Sequence, residues 1–121
     1  MSKTLFSLAK TPLGDLIVGV VFGKLSGLLP VKKLKDTKKV IAFWHPKPFW
    51  QQHILIVPKR AIRDLASLRE DDLPYITEAH TIAQEIVKEL GWEDDYFLLT
   101  NGGKRQEVHQ IHFHLGRGET L

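Results

Sequence analysis

The sequence predicts an α+β fold, an antiparallel sheet of about five strands with two main helices. Three observations predict it. Two stretches repeat apolar residues at steps of three or four, as helices do. Short β-prone runs bounded by Pro, Gly, Asn and Asp read as strands. These strands mostly neighbour one another in the chain, which points to antiparallel pairing with the helices on one face.

In order, residues 1–30 read as an apolar helical segment. Between Leu16 and Val31 the only charged residue is Lys24. The stretch is shorter than the roughly 20 residues of a spanning helix, and no small-residue cleavage site follows. A core helix is therefore expected, and membrane attachment is not. Thr11, Pro12 and Asp15 supply initiation chemistry and Pro30 closes the segment. Leu13, Ile17, Val20, Val21, Leu25 and Leu28 form its stripe, while Gly19, Gly23 and Gly27 line a flank where another backbone can approach.

Val31 to Lys35 and Val40 to Trp44 read as a hairpin around Asp36-Thr37, with a solvated face of Lys32, Lys33, Lys35, Lys38 and Lys39. His45-Pro46-Lys47-Pro48-Phe49-Trp50 is a loop at a strand end, a usual place for binding residues. His53 opens an apolar run ended by Pro58, the pattern of a strand buried on both faces. Ser67 and Glu70 have capping-box spacing ahead of a helix whose stripe is Leu73, Ile76, Ala83, Ile86, Val87 and Leu90, with Gly91 as terminator. His80 lies on or beside that stripe and reads as a partly buried structural histidine. Tyr96 to Thr100 reads as a strand, Asn101-Gly102-Gly103 as a turn, and Val108 to Leu115 as the last strand.

The 121 residues fit a single domain, and the absence of cysteine removes disulfides, thiolate metal sites and cysteine nucleophiles. Six histidines become the candidates for reactive chemistry. A formal net charge of +3 suits anionic small molecules and falls short of a dedicated nucleic-acid binder. A cytoplasmic location is expected, and no cofactor is called for.

The last run, Gln106-Glu107-Val108-His109-Gln110-Ile111-His112-Phe113-His114-Leu115, carries the densest signal. As a strand it puts Gln110, His112 and His114 on one face and Ile111, Phe113 and Leu115 on the other, with His109 at a rim. This run resembles the Q-x-V-x-H-x-H-x-H signature of the histidine triad (HIT) proteins. His53-Ile-Leu-Ile-Val-Pro-Lys59 is similar to that family's H-x-L-V-I-P-K strand, Ala42-Phe43 before a proline loop resembles the preceding segment, and Asn101 resembles its substrate-fixing asparagine. The likeness spans a core at residues 31–116.

The resemblance implies a nucleotide hydrolase or transferase, including phosphoramidase activity, in which His112 attacks the α-phosphorus and water then cleaves the nucleotidyl-histidine. It implies that the Gln110 carbonyl holds the proton of His112, that His114 contacts phosphate or leaving group, and that Phe43, His45, His53, Asn101, Gln106, Glu107 and Gln110 bind substrate. It also implies a homodimer joined through its sheets. The pattern departs from the family in three places: Gln110 stands for the first triad histidine, His45 for an acidic residue that grips the ribose, and Glu107 for a hydroxyl residue. Lys104 and Arg105 fall near the phosphate. The alternatives are a nucleotide or phosphate binding module of weak turnover, and a metal site built from His53, His112 and His114, whose spacing alone is weak evidence.

Overall fold

The computed structural model describes residues 12–21 and 31–121. Its elements are helix α1 (Pro12–Val21), strands β1 (Lys33–Asp36), β2 (Val40–Trp44) and β3 (Trp50–Pro58), helix α2 (Leu73–Leu90), and strands β4 (Phe97–Leu99) and β5 (Phe113–Thr120). The five strands form one antiparallel sheet in the order β1-β2-β3-β5-β4. Leu25, Leu28, Gly23, Gly27 and Lys24, which the sequence assigned to the first helix, lie outside the described residues. Among the described residues, no helix is long and apolar enough to cross a membrane.

The sheet is covered on both faces, where the sequence suggested one. Alternation along β2 and β3 explains this. Val40, Ala42, Ile54 and Ile56 pack with Ala79, Ile82, Ala83 and Ile86 of α2, while Ile41, Phe43, Leu55 and Val57 pack with Leu16, Ile17 and Val20 of α1. Phe43 is fully buried in the α1 layer, so it is a core residue and not a substrate contact.

Two boundaries differ from expectation because side chains found other partners. Ser67 does not cap α2: the buried Asp64 carboxylate accepts from Ser67 N–H at 3.0 Å and Oγ–H at 2.8 Å, closing a short 3-10 turn. Arg69 N–H then donates to Asp72 at 3.0 Å, and α2 starts at Leu73 with Pro74 in its first turn. It ends at Gly91, whose φ of 71° favours glycine. Leu73 and Leu90, at the ends of the expected stripe, are exposed. His80 is exposed too, its Nδ1–H bonded to the Ile76 carbonyl at 2.8 Å and its ring 5.3 Å from Phe113. The lysine hairpin is stitched rather than bare: Lys35 meets Glu85 and Glu89 of α2, Thr37 donates to Glu78, and Lys59 reaches Asp36.

The largest difference lies at the histidine run. It is no strand before Phe113; residues 101–112 form turns and irregular backbone, and β5 continues instead to Thr120. The period-two sorting of Gln110, His112 and His114 onto one face therefore does not hold.

Candidate active site

Beside β5 the irregular segment is held by side chains. Gln110 is buried and turned away from solvent: its Oε1 accepts from Ile62 N–H at 3.0 Å, and its Nε2 donates to the carbonyls of Arg60 at 2.8 Å and Pro58 at 3.2 Å. Gln106 Nε2 donates to Arg63 O at 2.8 Å, Ile111 N–H to Ile62 O at 2.7 Å, and Thr100 Oγ–H to His112 O at 2.8 Å. Together these bonds replace the ladder a strand would have supplied.

The segment forms one wall of a cavity of about 670 Å³. His45, His53, Asn101, Gln106, Glu107, His112 and His114 line it, as the sequence led us to expect. Gln110 does not, because its amide serves the chain segment 58–62. Leu13 of α1, Pro46, Lys47, Phe49, Trp50 and Arg105 line it as well. The proline loop was legible as a binding loop, but nothing in the sequence said that its aromatic residues turn inward.

Four imidazoles cluster here. Ring centroids stand 4.3 Å apart for His45 and His53, 5.0 Å for His53 and His114, and 5.0 Å for His112 and His114. Burial lowers the pKa of His45 and of His53 to about 4 and that of His114 to about 3, with neighbouring imidazoles adding to each shift. Burial also lowers His112, opposed by the Gln110 carbonyl and the Glu107 carboxylate. All four are neutral at pH 7.

Hydrogen bonds fix where each proton sits. Phe49 N–H donates to His53 Nδ1 at 3.0 Å, so His53 carries its proton on Nε2 and donates it to His114 Nδ1 at 2.8 Å. His114 must then hold its proton on Nε2. Lys47 N–H donates to His45 Nδ1 at 3.0 Å, which leaves the His45 proton on Nε2. His112 is reversed: its Nδ1–H donates to Gln110 O at 2.7 Å, as expected, and its Nε2 is a bare lone pair. These commitments argue against the metal alternative, since both nitrogens of His53 and Nδ1 of His112 and His114 are occupied. Among the described residues, no group of three or more His, Asp or Glu side chains is placed to hold a metal ion.

The cluster makes stability pH-dependent. In the unfolded chain these histidines protonate near 6.5, whereas His45 and His53 protonate near 4 and His114 near 3 when folded. Their contribution is therefore fully present above 6.5 and is lost as pH falls towards 4. Urea midpoints are expected to drop steeply through that window, and less steeply in His53→Gln. A midpoint that stays flat from pH 7 to about 4 contradicts the neutral cluster.

Comparison with known proteins finds relatives that share this fold. A family model described as HIT domain matches residues 27–119. A HIT-like protein of Helicobacter pylori is 33% identical over 103 residues, covering 82% of this chain and 96% of its own. Among solved structures, a histidine triad protein from Clostridium difficile superposes with a TM-score of 0.73 at 27% identity, covering 88% of this chain and 93% of its own. A HIT family hydrolase from Clostridium thermocellum gives 0.72 at 31%, covering 82% and 90%. A histidine triad nucleotide-binding protein from Candida albicans gives 0.68 at 25%, covering 85% and 76%.

Proposed function

Because the chain belongs to the HIT family, we propose that its cavity binds a nucleotide-type compound and cleaves it at the α-phosphorus through a nucleotidyl-histidine on His112. One observation carries the reading: Gln110 O takes the His112 Nδ1 proton and leaves Nε2 bare, on a residue that lines the cavity beside the Nε2–H of His114.

In the first step His112 Nε2 bonds to phosphorus as the bond to the leaving atom breaks. The leaving atom keeps the electron pair, accepts a hydrogen bond from His114 Nε2–H and takes its proton from solvent. In the second step a water oxygen bonds to phosphorus, the Nε2–P pair returns to His112, and the water's proton passes to solvent, with His114 neutral throughout. Asn101 and Arg105 stabilise the phosphoryl oxygens. His45 offers one N–H donor where a carboxylate would accept two hydroxyls, so its hold on a sugar is a single bond. Glu107 lines the same cavity and its charge favours the imidazolium of His112. The binding-only alternative loses support from Gln110, whose side chain stands outside the cavity lining.

The test is intact-protein mass spectrometry after rapid mixing with adenosine 5'-phosphoramidate, with peptide fragmentation to locate the nucleotidyl group. The adduct is expected on His112. An adduct elsewhere, or turnover without one, contradicts the mechanism.

We expect a homodimer through β4. That strand is one edge of the sheet, Tyr96 just before it is exposed, and the opposite edge, β1, is guarded by lysines. A monomer mass by light scattering at micromolar concentration contradicts it.

A further inference from the structure

We infer that the nucleotide carries a second phosphate, on the 2' or 3' oxygen of its sugar, and that His45 and Lys47 bind it. The inference rests on the reading above, in which His112 meets the α-phosphorus and His45 the sugar, and it names the substrate class of that same site.

His45 stands away from the phosphoryl centre. His114 lies 5.0 Å from His112 and 5.0 Å from His53, whereas His45 is 6.5 Å from His114 and reaches it only past His53, at 4.3 Å. A group held at His45 is therefore distinct from the one attacked at His112.

This end of the cavity offers side-chain donors and no side-chain acceptor. His45 Nδ1 is filled by Lys47 N–H at 3.0 Å, which leaves Nε2–H pointing elsewhere as a donor. Lys47 lines the cavity too, adding three N–H donors and a full charge on a flexible stem. Pro46 and Pro48 on either side of it stiffen the loop that carries both residues. Free sugar hydroxyls, each with a proton to place, are served poorly by such a pair. A phosphomonoester is served well, since it brings acceptor oxygens and between one and two negative charges.

The charge of Lys47 is also unspent. Among the described residues it forms no ion pair. Glu107 is the carboxylate of the lining, and its charge acts on His112. Arg105 comes from the segment that bears His112 and faces the phosphoryl oxygens there. Burial holds His45 at about 4 and hence neutral, so a second anion at this end has Lys47 as its counter-charge.

Isothermal titration with four ligands tests this: AMP, adenosine 2',5'-bisphosphate, adenosine 3',5'-bisphosphate and α,β-methylene-ADP. The last places its extra phosphate on the departing side of the α-phosphorus and resists cleavage. One of the two bisphosphates is expected to bind about tenfold more tightly than AMP, the scale of one hydrogen bond to a charged group, and more tightly than the methylene compound. In Lys47→Gln, with circular dichroism to establish that the variant folds, that gain is expected to fall to about twofold or less. The inference is overturned if neither bisphosphate gains over AMP, if the methylene compound gains as much, or if Lys47→Gln keeps the gain. Where any of these occurs while adenosine 5'-phosphoramidate labels His112, only this inference fails. Where His112 is not labelled and none of the four ligands binds, the underlying reading fails and this one with it.

Discussion

His112→Ala is expected to reduce turnover of a nucleoside phosphoramidate by about 10⁴-fold or more and to abolish the covalent adduct, with the fold retained. The size follows from the proton map. Of the four imidazoles in the cavity, three cannot take over. His45 and His53 each accept a backbone N–H at Nδ1 and carry their proton on Nε2, and His114 accepts from His53 and presents an N–H. Only His112 offers a bare nitrogen, because its proton is held by Gln110 O at 2.7 Å. The chain has no cysteine to substitute for it. Steady-state assay of the purified variant, with a far-ultraviolet spectrum matching the parent, checks this. Retention of more than about a hundredth of the activity would remove His112 from the role of nucleophile.

Gln110→Leu is expected to lower the melting temperature by about 10 °C and turnover with it. Leucine has similar volume, so the loss isolates the amide. Ile62 N–H loses its acceptor and the carbonyls of Arg60 and Pro58 lose a donor, all three in or beside a buried region. At about 1 kcal/mol or more for each stranded group, roughly 3 kcal/mol goes, and a domain of this size loses a few degrees per kcal/mol. Turnover falls because the backbone of residue 110 also orients His112. Gln110→Glu keeps the acceptor for Ile62 but sets an anion against two carbonyls, so it should fail as well. Calorimetry that finds either variant within about 2 °C of the parent contradicts the clamp.

Much of this was legible in the sequence. The apolar runs of β2 and β3 and the stripe of α2 are direct prints of burial, although β3 starts at Trp50, which the sequence placed in the loop. The pairing of His112 Nδ1 with Gln110 O was foreseeable from the motif. What could not be read was set by contacts distant in the chain. Period-two sorting failed at Gln110 because the segment 58–62 offered its amide better partners than a ladder did. Phe43 resembles a binding residue in sequence but is taken by α1. The inward turn of Phe49 and Trp50 depends on Phe97, Gly116 and Leu121, none of which is near them in sequence.

The position of His112 has a consequence for how the protein fails. His114 belongs to β5, a strand with partners on both sides, whereas His112 stands one residue before that strand begins, in backbone fastened by individual side-chain bonds. Yet Ile111 lies in the α2 core and Gln110 is bonded into the segment 58–62, so this backbone comes apart with the sheet and not before it. Warming or denaturant is therefore expected to take activity and fold in one event, and a bound phosphate that bridges the two histidines raises both midpoints together.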